Sequence, residues 1–485
     1  MSGAAAVAGR RLLAPLALAQ FICSFAGSNM NVMIDDISRD LDTTVKGVQT
    51  TITLFLLVMA VLMIPGSKLT DRWGRKRCFT VGLALYCAGA LLSAVAPGLG
   101  VLILGNSLLE GVGTALLIPP VYILTTLAYT DVASRARAFG LISGAGGVGA
   151  AAGPLIGGLI TTAISWRAAF VFQALIVATI VVLSRRVDDP LPADPQRPFD
   201  LLGAVLSGAG MLCLVLGILQ ASENAALLVV LLALAALLLL WFALHVRADE
   251  RAGREPLLSL ELFRNRLSNL GLVTQNVQWL LLMGISFVVS VFLQTVRDLN
   301  AIQTGLVFTS ATVGVLASSL AAERLARRHE QRTLIRAGFV ATIAGIALLL
   351  ALVDVSDELV AFVPGLLLIG LGVGVMLTPS VNVVQSAFPE ERQGEISGLS
   401  RSVSNLGSSL GTAIAGTILV ADIASGNRSY VLALIVLAGF ALVGLAAALR
   451  LPPQLTAPLE ASSPAGRPRR GRARLPGARG SAIGR

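Results

Sequence analysis

Histidine and cysteine are nearly absent from this chain of 485 residues, which holds 2 His and 4 Cys. Zinc sites need Cys and His at close, paired spacings, and disulfide scaffolds need dense cysteines in a small chain. Neither His245 and His329 nor Cys23, Cys78, Cys87 and Cys213 meet those patterns, so no metal site and no disulfide framework are expected. Charge is scarce too: Asp, Glu, Lys and Arg make up 13% of the chain, against roughly a quarter in a soluble domain. No Walker-type phosphate loop and no nucleophile–base constellation occurs, which argues against ATP-driven transport and against an enzyme.

What is present is apolar length. Hydrophobic residues account for 55% of the sequence and its mean hydropathy is +0.81. Apolar runs of roughly 18 or more residues recur throughout, each long enough to cross a hydrocarbon core. They lack the period-two alternation of barrel strands, which leaves helices as the way to satisfy the backbone in lipid. The expectation is an all-α membrane protein with spans at Leu12–Met33, Val48–Ile64, Phe79–Ala96, Val101–Leu127, Phe139–Thr162, Ala168–Leu183, Leu201–Gln220, Leu227–Val246, Leu270–Leu293, Thr304–Ala322, Leu334–Val353, Leu359–Ala387, Ile396–Ala421 and Tyr430–Leu449. The first span follows Arg10-Arg11 but lacks a small-residue cleavage site, so it reads as a retained helix and not a signal peptide.

The basic residues orient these spans. Most of the 37 Lys and Arg fall at the termini or after even-numbered spans, Arg392 and Arg401 included. The odd-numbered connections hold only Arg39, Lys46, Arg167, Arg297 and Arg428. Positive loops stay cytoplasmic, which places both termini inside. The net charge of +10 is thus a topology signal and no sign of a nucleic-acid partner. The Arg- and Pro-rich tail after Gly466 reads as a disordered, solvated basic segment near anionic headgroups.

Internal echoes divide the chain. Asp71-Arg72 with Arg75-Lys76 between spans two and three recurs as Glu323-Arg324 with Arg327-Arg328 between spans ten and eleven. Ser143-Gly144, Gly153 and Gly157 recur as Ser397-Gly398, Gly407 and Gly411. An offset of eight spans implies two six-helix halves with spans seven and eight inserted, the organisation of rocking transporters. The corresponding regions are an N-terminal bundle at 1–185, an inserted pair at 186–268, a C-terminal bundle at 269–451 and the basic tail at 452–485. Pro190, Pro192, Pro195, Pro198 and Pro256 flank the pair as semi-rigid linkers.

On these residues the chain resembles the major facilitator superfamily, in particular its fourteen-spanner drug:proton antiporters. The run Ser67-Lys-Leu-Thr-Asp71-Arg72-Trp-Gly74-Arg75-Lys76-Arg77 is similar to the superfamily's signature loop. The resemblance implies that Asp71, Arg72, Gly74, Arg75 and Lys76 form a conformational latch. Gly149, Gly153, Pro154, Gly157 and Gly158 resemble the motif linked with antiport, a smooth glycine face beside a proline kink. Trp166-Arg167 and Pro256 through Arg266 also fit the family pattern. The resemblance implies the major facilitator fold in a bacterial plasma (inner) membrane and a multi-pass protein acting as a monomer. It also implies no cofactor beyond a proton gradient.

Two positions depart from that pattern. The group's aspartate in span one falls on Ala26, and its arginine in span four falls on Ser107, with Glu110 at the usual glutamine. Glu110 is the one acid placed well inside a span, and an intramembrane carboxyl that meets alternating access can carry a proton. It is therefore the proton-coupling candidate, with a neutral acid bonded to a neighbouring helix as the structural alternative. Asn29, Asn31, Asn106, Gln173, Gln275, Asn276, Gln278, Asn382, Gln385 and Asn405 are candidates to line an otherwise apolar cavity, each alone also able to serve as interhelical glue. The expected activity is proton-coupled efflux of a hydrophobic or amphiphilic small molecule. A symporter or facilitator for a nutrient or lipid-like compound, or a membrane sensor on the same scaffold, are the alternatives.

Overall fold

In a computed structural model the described residues are 3–129, 132–185, 189, 193–196, 198–326, 328–353, 359–388, 392–420 and 427–453. The basic tail beyond residue 453 lies outside them. Among the described residues the regular structure is helical, without strands. Membrane-length helices are α1 (Leu12–Asp40), α2 (Val45–Trp73), α3 (Arg75–Ala94), α4 (Leu99–Ala128), α5 (Val132–Ala163), α6 (Trp166–Ser184), α7 (Leu201–Leu219), α8 (Ala225–Arg251), α9 (Arg266–Val296), α10 (Ala301–Ala321), α11 (Gln331–Leu352), α12 (Phe362–Gln385), α13 (Glu395–Val420) and α14 (Arg428–Leu449). Each overlaps one span expected from hydropathy.

Local chemistry sets many of the starts. Thr44, Ser165, Asp200, Asn224 and Asn265 precede α2, α6, α7, α8 and α9, and each accepts a hydrogen bond from a backbone N–H in the first turn. These caps satisfy donors that the helix itself cannot. α5 is bent by 44° between Gly144–Ala150 and Ala152–Ala163. Pro154 denies a donor to the carbonyl four residues earlier, at Ala150, which accounts for the bend.

Some ends run past the hydropathy boundaries, whereas α12 (Phe362–Gln385) and the end of α3 (Ala94) stop short of theirs. The signature run, expected as a loop from Ser67, stays helical through Trp73 and turns only at Gly74, whose φ is +95°. α9 continues through Gln294 to Val296, past the apolar boundary at Leu293. Backbone hydrogen bonding does not stop where apolarity does, so polar residues ride on the helix ends.

Lipid supplies no hydrophobic drive for helices to associate, so close backbone approach at small residues has to do so. Gly82 and Gly89 on α3 lie against Gly113 and Gly105 on α4. Gly338 and Gly345 on α11 lie against Gly372 and Gly365 on α12 in the same way. Other pairings repeat at the same offset of eight helices: α1 with α5 and α6, and α2 with α4, match α9 with α13 and α14, and α10 with α12. Across the halves, α2 packs on α13 and α5 on α10, an equivalent pair of seams.

α7 lies over the α2–α13 seam, where Val215 and Leu219 pack with Leu57 and Ala413. Thr417 donates to the Ile218 carbonyl at 3.1 Å, and Lys46 pairs with Glu223 at 2.5 Å. α8 packs on α7 and is otherwise largely exposed, with Leu237, Leu240 and Trp241 on its outer face.

A Cβ at Gly338 would lie 2.6 Å from the Gly372 carbonyl oxygen, whereas one at Gly98 would meet nothing within 4 Å. Gly338→Val is therefore expected to lower the yield of monodisperse protein several-fold in size-exclusion chromatography, with Gly98→Ala indistinguishable from wild type. At Gly74 the positive φ makes Gly74→Ala destabilising by about 1–3 kcal/mol, read as a lower melting temperature in detergent.

Candidate functional site

The latch residues cluster where α2 turns into α3. Arg75 donates to Asp71 at 2.9 Å, and Asp189, after α6, accepts the backbone N–H groups of Arg75 at 2.7 Å and Lys76 at 3.3 Å. Asp189 thus caps α3, whose positive N-terminal dipole favours a carboxylate. The Asp71 carbonyl accepts from Asp194 N–H at 3.3 Å. Lys68 bonds Glu255, on the far side of the inserted pair, at 2.9 Å. Arg72 is half-buried beside this cluster and Gly74 forms its turn. In the second-half echo, the side chains of Glu323 and Arg327 lie outside the described residues.

The glycines of α5 face two ways. Gly149 lies on the Phe21 carbonyl, Gly153 on Ser28 and Gly157 on Asn29, all on α1. Gly158 meets the Ala301 carbonyl of α10, and the Pro154 carbonyl meets Gly305. One helix surface therefore packs within the first half and the adjoining one against the second. Thr162 adds a polar contact there, accepting from Ile302 N–H at 3.1 Å.

The amides divide by partner. Gln173 accepts from the Tyr86 hydroxyl at 2.6 Å, joining α6 to α3. Gln275 accepts from Ser400 at 2.9 Å, and Asn276 donates to the Val403 carbonyl at 2.9 Å, joining α9 to α13. Gln385 donates to Ser397 at 3.4 Å between α12 and α13. These four act within a half as interhelical ties. The Asn31 carbonyl accepts from Gln294 at 2.8 Å, a contact between halves. Asn29, Asn106 and Gln278 are buried with both amide atoms unbonded among the described residues. Asn382 is exposed and Asn405 half-buried.

Glu110 has 0% exposure, and among the described residues neither carboxyl oxygen has a hydrogen-bond partner. It faces into the first half: a Cβ at Gly89 on α3 would touch the Glu110 Cγ at 2.9 Å. The equivalent Gly345 on α11 faces Ile369 instead, with its Cγ1 at 2.7 Å. Between Gly105 and Glu110, α4 carries one residue more than α12 does between Gly365 and Ile369, and the excess is absorbed as a π-helical stretch over Ile103–Glu110. π-bulges of this kind concentrate at functional sites.

Several further residues that hydropathy and motif did not single out carry contacts between halves. Gln49 donates to the Thr412 and Ala413 carbonyls at 3.3 and 3.2 Å. With Ser409 on the Thr53 carbonyl at 3.0 Å and Ser402 on the Ala60 carbonyl at 2.5 Å, it stitches α13 to α2. Gln294 also accepts from Asp35 N–H at 3.1 Å, near Arg39 and Asp298, which lie 3.8 Å apart. Arg401, counted with the loop charges from the sequence, sits inside α13 and donates to the Tyr122 hydroxyl of α4. Charge arithmetic over loops could not separate it from Arg392; its place six residues inside the helix was the available signal.

Asp200, His245 and Asp249 bring one donor atom each to within 4.8 Å of one another. Their oxygens are already engaged: Asp200 accepts from Gly203 N–H at 2.7 Å, Leu257 N–H at 3.1 Å and His245 at 2.9 Å, and Asp249 holds Arg254 at 2.5 Å. Burial pushes the Asp200 carboxyl up, but these hydrogen bonds outweigh it and hold it below the ordinary carboxylate value. The group works as a clasp joining α7 to the end of α8.

The Major Facilitator Superfamily model matches residues 16–412 and 277–475 of this sequence. The chain belongs to the major facilitator superfamily. Among similar proteins, the puromycin resistance protein pur8 of Streptomyces alboniger is 31% identical over 409 residues, covering 82% of this chain and 80% of that one. The multidrug efflux pump LfrA of Mycolicibacterium smegmatis is 29% identical over 410 residues, 84% of this chain and 80% of its own. The multidrug resistance protein Stp of Mycobacterium tuberculosis is 28% identical over 398 residues, 81% of this chain and 72% of its own. This member of the superfamily is thus a multi-pass membrane transporter whose relatives include drug efflux pumps, and these relatives are transporters, not enzymes.

In this transporter the Tyr86–Gln173 bond is fully buried, so removing the Tyr86 hydroxyl strands the Gln173 side-chain carbonyl. Tyr86→Phe is expected to lower thermal stability by about 1–3 kcal/mol, and adding Gln173→Leu to restore most of the loss. A double-mutant cycle of melting temperatures in detergent checks this; additive losses would contradict it.

Proposed function

We propose that the chain exports a hydrophobic or amphiphilic small molecule across a bacterial plasma membrane in exchange for protons, by alternating access. The N-terminal bundle at 1–185 and the C-terminal bundle at 269–451 rock against each other, with 186–268 as the inserted pair and both termini cytoplasmic. Efflux is supported by the names its relatives carry, puromycin resistance and multidrug efflux among them. The α5 glycine face supports the alternation, because it meets α1 on one side and α10 on the other.

The observation that carries the proton role is the comparison of Glu110 with Ile369. The same packing niche against a glycine is filled by a hydrocarbon in the second half and by a carboxylic acid in the first. Packing therefore does not require the acid. A buried carboxylate without a donor is costly, so the neutral acid fits this niche and the anion does not. Loss of the proton would favour a rearrangement of α4 that exposes the group, and the π-helical stretch ending at Glu110 gives α4 a local place to change register. Asp71, with Arg72, Gly74, Arg75 and Lys76, would hold one end state, as electrostatic contacts at helix ends do in two-state switches.

Inside-out vesicles with an acidified interior are expected to accumulate a fluorescent amphiphile. Glu110→Gln should cut that uptake at least tenfold, while Glu110→Asp retains part of it. Undiminished gradient-driven uptake in Glu110→Gln would remove the proton assignment.

A further inference from the structure

Arg401 is a guanidinium within a membrane-length helix, with no acid beside it among the described residues. It lies six residues into α13, about 9 Å along the axis at 1.5 Å per residue. Tyr122 lies six residues before the end of α4, and Gln20 eight residues into α1, so alternate crossing puts all three near the same membrane face. Arg401 donates to the Tyr122 hydroxyl oxygen and stands over its ring, 5.0 Å from the centroid. Tyr122 in turn donates to Gln20 at 3.2 Å, and Gln20 donates to Ser24 at 3.2 Å. Gly146 of α5 leaves the space that the Gln20 side chain occupies. Helices α1, α4 and α5 belong to the first half and α13 to the second, so this chain of bonds spans the junction between them.

Among the described residues no carboxylate pairs with Arg401, and its side-chain hydrogen bond and its ring contact are both to Tyr122. Glu110, the buried acid of the first half, is turned toward α3 and Gly89. Ala26 on α1 is buried and apolar. An intramembrane cation is costly to keep, and such residues mark ligand pathways. A guanidinium has five N–H donors in a planar fork that matches a carboxylate or similar oxyanion bidentately. The described contact to Tyr122 uses one of them.

We propose that Arg401 and Tyr122 form a recognition site for the acidic group of an amphiphilic organic anion. This inference rests on the efflux reading and specifies its substrate class. An oxyanion docking on the fork takes over the donor that now joins Arg401 to Tyr122. Substrate binding thereby releases a contact between the halves, and recognition is tied to opening on that face. A cationic amphiphile meets an unscreened like charge at the same place and is disfavoured.

The test uses the purified full-length chain in detergent and two xanthene dyes of matched ring system, anionic fluorescein and cationic rhodamine 123, with binding read by fluorescence anisotropy. Fluorescein is expected to bind at least tenfold tighter than rhodamine 123. Arg401→Gln should erase the preference, and Arg401→Lys should keep the charge-dependent part while losing several-fold in fluorescein affinity. Equal or tighter rhodamine binding by the wild type overturns the proposal, as does an unaltered preference in folded Arg401→Gln. Should Arg401→Gln fail to fold, undiminished fluorescein binding by Arg401→Lys overturns it as well. Equilibrium binding does not depend on proton coupling, so intact dye preference without gradient-driven uptake in vesicles would sink the exporter reading and leave the site standing.

Discussion

Hydrocarbon offers no partner for a peptide N–H or C=O, and no gain for one apolar surface meeting another. The first condition forces the chain into helices; the second leaves their association to contact distance and to the few polar side chains. Glycine provides the contact distance. Gly82 and Gly89 against Gly113 and Gly105, and Gly338 and Gly345 against Gly372 and Gly365, bring α3 to α4 and α11 to α12 by the same device. Because dispersion falls off steeply with separation, a single added methyl group at such a place changes the packing of both helices.

The two seams between halves are built differently. Along α2–α13 the bonds run from side chain to backbone, with Gln49, Ser402 and Ser409 reaching carbonyls on the facing helix. α7 covers that seam from outside. Along α5–α10 the contact is mostly backbone on backbone, through Gly158, Pro154 and Gly305, with Thr162 as a polar tie. A seam held mostly by glycine contacts, with a single hydrogen bond, slides at lower cost than one held by several, because a hydrogen bond broken in lipid is not replaced by water. This asymmetry assigns to α5 and α10 the larger share of relative motion in the proposed cycle.

Polar groups follow the same economy of partners. Gln173, Gln275, Asn276 and Gln385 are consumed by ties within a half. Glu110 and Arg401 are not: among the described residues one is a buried acid without a donor, the other a half-buried base without an acid. They lie in different places, Glu110 inside the first bundle and Arg401 at the junction, so proton handling and substrate recognition are spatially separate in the proposed cycle. Coupling between them would pass along α4, which carries both Glu110 and Tyr122.

The number and order of the membrane helices were legible in the sequence because apolar length is a local property, countable residue by residue. The eight-helix repeat was legible in the loops because charged motifs survive there as strings, and the family followed from those strings. Helix ends were less so: Gln294 and Ser67–Trp73 lie beyond the apolar boundary yet remain hydrogen-bonded as helix. Glu110 stood out as an acid in a span, but its direction did not, because that depends on one inserted residue taken up as a π stretch and on a glycine in α3. Arg401 was hidden among loop charges, since a count of basic residues carries no depth. The sequence by itself determined the helices, their duplication and the residues available for chemistry. Which of those residues find partners, and which remain for a proton or a substrate, only tertiary packing decided, because partnership in lipid depends on distances across helices that no local pattern records.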